Sequence, residues 1–159
     1  MSILVKALPV SQPRTKESGK IALLFAGILV VMAVAQLFTF EEFLPLVERF
    51  NLPFNIKIIY VIAPLIVVSE VFALPFLLRM RLSTAFRYLS MFLSWLAAGL
   101  WLFISLWLAI SYMPVETVGF LGTVINFMPG WSSVFISIAL AILTIWSSWG
   151  LWPGKATKK

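Results

Sequence analysis

Four apolar stretches limit what this chain can fold into more than any other feature of it. They cover residues 21–38, 58–78, 88–112 and 131–152, so each is 18 to 25 residues long. At about 1.5 Å per residue, even the shortest gives a helix of about 27 Å, close to the roughly 30 Å of a bilayer's hydrocarbon core. Inside hydrocarbon a spanning segment must satisfy its own backbone hydrogen bonds, which leaves the helix as the form for runs of this length. The pattern predicts an all-α integral membrane four-helix bundle. A rival reading takes the first stretch as a signal peptide with Ala33-Val34-Ala35 as its cleavage site. Against it, the run continues through Leu37 and Phe38.

Composition agrees with the bundle. Of 159 residues, 62% are hydrophobic and 11% charged, against about half and about a quarter in soluble domains. That leaves room for one compact unit, residues 21–152, between a polar basic leader (1–20) and a basic tail (153–159). The chain has no cysteine, histidine or aspartate. It therefore offers no disulfide, no thiol redox pair, no His general base and none of the usual haem, copper or zinc ligands. The net charge of +6 is spread by loop rather than gathered into a nucleic-acid patch, so no nucleic-acid partner is expected.

Lys and Arg set the orientation. The leader holds Lys6, Arg14, Lys16 and Lys20, the first loop only Arg49 and Lys57, and the second loop Arg79, Arg81 and Arg87. The third loop holds none, and the tail holds Lys155, Lys158 and Lys159. Alternate loops are basic, which places both termini and the second loop in the cytoplasm. The expected partners are thus a lipid bilayer and whatever else shares it.

Between the first two spans, Phe40, Phe43, Leu44, Val47 and Phe50 recur at helical spacing, with Glu41, Glu42, Glu48 and Arg49 on other faces. This suits a short helix lying in the membrane interface. Thr39 and Glu42 have capping-box spacing, although Pro45 argues for a break or kink. Pro64 and Pro75 predict kinks in the second span, with neighbouring helices satisfying the freed backbone groups. Residues 113–130 read as an apolar loop hugging the interface, with Glu116 its only charge.

Small and hydroxyl residues mark helix contacts in lipid. Ser90, Ser94, Ala98 and Ser105 form one such stripe, and Ser133, Ser137, Ala141, Thr144 and Ser148 another. Gly27 is expected to be a point of close approach in the first span.

Glu70 is the one ionisable residue inside an apolar run from Ile58 to Leu78, and a carboxyl there is costly. It serves either as a hydrogen-bonded packing or subunit-contact residue, or as a proton- or ligand-handling group. It lies about 8 residues, or about 12 Å, from the cytoplasmic end of its helix. Ser94, Trp95 and Thr144 share that depth and could donate to it. Gln36, near the outer end of the first span, counts as too high unless that helix is shifted.

Gly27, Gln36-Leu37-Phe38, the Phe40/Phe43 segment closing in Asn51-Leu52-Pro53, then Ser69-Glu70 and Arg81 together resemble the DoxX-like family of small four-helix membrane proteins, which includes the MauE proteins. The resemblance covers roughly residues 20–110. The family usually has Lys where this chain has Gln36, and commonly Gly where it has Ala33. It implies a helical bundle of the bacterial inner membrane associated with membrane redox systems, as an oxidase-associated subunit or a maturation factor. The expectation for this chain is a non-catalytic accessory subunit or assembly factor of a larger membrane complex. The alternative is a quinone-linked oxidoreductase component, with Glu70 near the quinone head and Trp95 stacked on its ring. Beyond a quinone or lipid, no cofactor is expected.

Overall fold

The computed structural model describes residues 12–53, 56–112 and 114–152, and the tail expected at 153–159 lies outside them. Among the described residues the chain is all-α, with five helices: α1 (Lys16–Phe38), α2 (Phe40–Arg49), α3 (Ile56–Leu77), α4 (Thr84–Ser111) and α5 (Trp131–Gly150). Four of them, α1, α3, α4 and α5, are long and apolar enough to cross a membrane.

The helix ends follow local chemistry. α1 begins inside the stretch expected to be a polar leader. Thr15 caps it, accepting from the Ser18 amide at 3.1 Å, while the Ser18 hydroxyl and the Thr15 amide lie 3.3 Å apart. This is a capping box with Ser where Glu or Gln is usual, so the Thr-x-x-Glu signature is missing from the sequence. Likewise α4 starts four residues before residue 88, because Ser83 accepts from the Phe86 amide.

Thr39 separates α1 from α2 but does not cap α2 through its side chain. Its hydroxyl donates back to the Ala35 carbonyl at 3.0 Å and accepts from the Thr123 amide at 3.2 Å. The capping box expected with Glu42 is therefore replaced by a tie to the 114–130 loop. Pro45 sits within α2 without ending it. The carbonyl it leaves unpaired belongs to exposed Glu41, where water can serve. Phe43, Leu46, Val47 and Phe50 are buried and the charged residues of α2 are exposed.

In α3, Pro75 disturbs the hydrogen-bond ladder and α4 repairs it. The Ser90 hydroxyl donates to the Phe72 carbonyl at 2.5 Å and accepts from the Phe76 amide at 3.1 Å. Of the α4 stripe, Ser90 thus faces α3, and Ser105 meets the α5 stripe. Ser105 and Ser137 hydroxyls meet at 2.7 Å, and Trp95 Nε1 donates to Ser148 at 2.9 Å. At the other side of the bundle, Gly150 of α5 lets Ser18 of α1 come close enough that an added Cβ would overlap the Ser18 side chain. Gly27 is a different case: nothing lies within 4 Å of where its Cβ would stand, so the close approach expected there occurs at Gly150 instead.

The loop after α4 is no peripheral strap. Thr117, Val118 and Phe120 are buried, and Trp101, Ile104, Phe43 and Phe25 join them in one core. Gly119 and Gly122 hold positive φ angles of 86° and 57° on either side of the inserted Phe120-Leu121. Glycine adopts that region without the steric cost of a Cβ.

Candidate functional site

Glu70 is fully buried in the bundle interior. Its Oε1 accepts from the Trp101 indole Nε1 at 2.6 Å and from Gln36 Nε2 at 3.2 Å. The same Gln36 amide donates to the Phe120 carbonyl at 3.0 Å. The Phe120 ring packs against the Trp101 ring at 4.8 Å between centroids, tilted by 45°, and meets Phe127 edge-on at 6.0 Å. Thus α1, α3, α4 and the loop each contribute one residue to a closed cluster. Two of its oxygens, Glu70 Oε2 and Gln36 Oε1, are buried without a hydrogen-bond partner.

Gln36 reaches Glu70 although counting backbone depth puts it too high. Side chains on a helix lean toward its N-terminus. Pairs of contacts show neighbouring helices running antiparallel: Ser90–Phe72 with Trp101–Glu70 for α3 and α4, Trp95–Ser148 with Ser105–Ser137 for α4 and α5, and Gln36–Glu70 with Gly19 beside Arg79, just past α3, for α1 and α3. Gln36 on α1 and Trp101 on α4 therefore lean one way, and Glu70 on α3 leans the other. Three long side chains close a gap that the Cα positions leave open.

The other residues singled out in the sequence sit elsewhere. Trp95 is 45% exposed and its indole is bonded to Ser148, so it neither donates to Glu70 nor offers a ring beside it. Ser94 is buried, but its hydroxyl has no hydrogen-bond partner. Thr144 donates to the Leu140 carbonyl of its own helix at 2.8 Å. None of the three residues expected at the depth of the carboxyl bonds to it, and Gln36, set aside as too high, does.

Sequence reasoning missed Trp101 and Phe120. Trp101 had a visible signal, because it lies on the same α4 face as Ser90, Ser94 and Ser105, all of them buried. Phe120 had a weaker one, an apolar pair framed by Gly119 and Gly122. Compared with known proteins, the chain matches no family model, no curated protein and no solved structure.

Proposed function

We propose that this chain is a DoxX-like protein of the bacterial inner membrane, with both termini cytoplasmic and α2 in the outer interface. In this reading it acts as a non-catalytic accessory subunit or assembly factor of a larger membrane redox complex. The observation that carries it is the sealed carboxyl. Glu70 is wholly buried, and its accepted bonds come from two other helices of its own chain, as expected of a group that fastens a fold. The pairing also bears on the resemblance. The position where that family usually has Lys is the one that donates to Glu70, with Gln36 supplying a neutral hydrogen bond in place of an ion pair.

The outer surface suits a partner. Trp95, Trp146 and Trp149 are about half exposed, on faces of α4 and α5 turned away from the core. Aromatic residues are enriched at protein interfaces. Gentle extraction of tagged protein from native membranes, with identification of what copurifies, tests the proposal. The expected result is a stoichiometric membrane-protein partner. A monodisperse monomer that retains bound lipid but no protein overturns it.

A further inference from the structure

A pocket of about 520 Å³ opens between α2 and the 114–130 loop. The volume falls within the roughly 300–1,000 Å³ of small-molecule sites. α2 brings Glu41, Glu42 and Arg49 to its wall, and the loop brings Glu116, Thr117 and Thr123. The Thr123 hydroxyl donates to Glu42 and ties the two walls together. α2 also sets the order of charge. Glu41 and Glu42 lie in its first turn and Arg49 in its last, so at about 1.5 Å per residue their backbones stand roughly 10–12 Å apart. No ion pair among the described residues joins Arg49 to any of these carboxylates. Nor do any three acidic groups among them lie close enough to hold a metal ion. The helix dipole accounts for acids at the start of α2 and a base at its end. It does not account for Glu116, which the loop carries to the same pocket.

Thr117 adds a separate observation. It lines the pocket yet is only 3% exposed. Its Oγ1 accepts from the Gly119 amide at 3.2 Å and from the Phe127 amide at 3.1 Å. A hydroxyl has two lone pairs and one proton, so both lone pairs are taken and the proton remains to be donated. Among the described residues nothing accepts it. A guanidinium and a hydroxyl donor call for an acidic oxygen, and three carboxylates call for a cation with N–H groups. Charges held apart along α2 suit a ligand whose own charges are several bonds apart. We propose that the pocket binds a zwitterion of the phosphoethanolamine type, its phosphate taken by Arg49 and the Thr117 hydroxyl and its primary ammonium by Glu41, Glu42 and Glu116. Phosphoethanolamine occurs free and as a phospholipid headgroup, and only the second source rests on α2 lying in the membrane interface. Neither depends on a protein partner.

Titration calorimetry of the purified full chain in detergent micelles tests it. The probes are dihexanoyl phosphatidylethanolamine, the matching phosphatidylcholine, free phosphoethanolamine and glycine. The ethanolamine lipid should bind about tenfold more tightly than the choline lipid, whose quaternary ammonium has no N–H to donate. Arg49→Gln and Glu116→Gln should each weaken its binding about tenfold, the loss of one charge-assisted contact. Glu48→Gln, on α2 but outside the pocket, should leave it unchanged. All three side chains are exposed, so the melting temperature without ligand should not move. Free phosphoethanolamine separates the sources: affinity equal to that of the lipid assigns a soluble ligand, and clearly weaker affinity assigns a membrane lipid. Equal binding of the two lipids overturns the place of the ammonium, and glycine binding as tightly as phosphoethanolamine overturns that of the phosphate. Binding by none of the probes, or binding unchanged in both Arg49→Gln and Glu116→Gln, overturns the site.

Discussion

The α4–α5 seam and the Glu70 cluster solve the same problem, polar groups away from water, in opposite ways. In the seam, hydroxyls are satisfied close to home. Ser133 donates to the Gly130 carbonyl, Thr144 to Leu140, and Ser137 reaches the Ser133 carbonyl, the Trp101 carbonyl and Ser105. Each has a carbonyl three or four residues back, so one partner is guaranteed by the helix itself. In the cluster, every hydrogen bond crosses between elements, over separations of 31, 34 and 84 residues. Nothing local stands in if one member is lost. The seam should therefore tolerate single changes and the cluster should not.

The largest effect should separate two tryptophans of one helix. Trp101 is fully buried, bonds Glu70 and supports Phe120, whereas Trp95 is about half exposed and bonds a single serine. Trp101→Ala should cost about 3–5 kcal/mol, the range for emptying a buried aromatic site. Trp95→Ala should cost about 1 kcal/mol or less, mainly one interhelical hydrogen bond. Thermal unfolding of both variants in the same mild detergent checks this. Equal losses would mean that the cluster is no more cooperative than the seam.

A second comparison sets one glycine against another. Gly150→Ala pushes a methyl group into Ser18 and should cost about 1–3 kcal/mol as overpacking. Ser18→Gly should restore part of that loss, in proportion to the overlap it relieves. Gly27→Ala meets nothing and should stabilise by up to about 1 kcal/mol through helix propensity. The same thermal unfolding assay reads all three, and loss of stability in Gly27→Ala would remove the distinction.

These contrasts show what was legible beforehand. The four spans, the amphipathic α2 and the serine stripes are periodic, and periodicity is a local property that a sequence displays directly. Span ends such as Lys16 and Thr84 were misplaced because a single Thr or Ser cap fixes them, and caps leave a faint trace. Glu70 stood out because a carboxyl amid valines and phenylalanines is costly anywhere in lipid. Its partners did not, because helix rise gives the depth of a Cα and not the reach of Gln, Glu and Trp leaning toward one another. Phe120 was hidden for a different reason. Only the tertiary course of a loop, with Gly119 packed on Phe43 and Gly122 on Thr39, carries it into the core.

The smallest effects should come from the serines, and there the comparison is at its sharpest. Ser137→Ala removes a hydroxyl bonded to α4 and to its own helix, and should cost between about 0.6 and 1.7 kcal/mol, from the average to the maximum for interhelical hydrogen bonds in membranes. Ser94 is equally buried, yet its hydroxyl has no hydrogen-bond partner. Ser94→Ala removes a desolvated polar group and no hydrogen bond, so it should be neutral or stabilise by up to about 1 kcal/mol. Detergent unfolding of the two single variants and the double variant decides it. If Ser94→Ala costs as much as Ser137→Ala, the Ser94 hydroxyl has a donor or acceptor in the folded protein. The buried side-chain atoms left without a partner among the described residues would then be Glu70 Oε2, Gln36 Oε1 and Ser147 Oγ, two of the three in the Glu70 cluster.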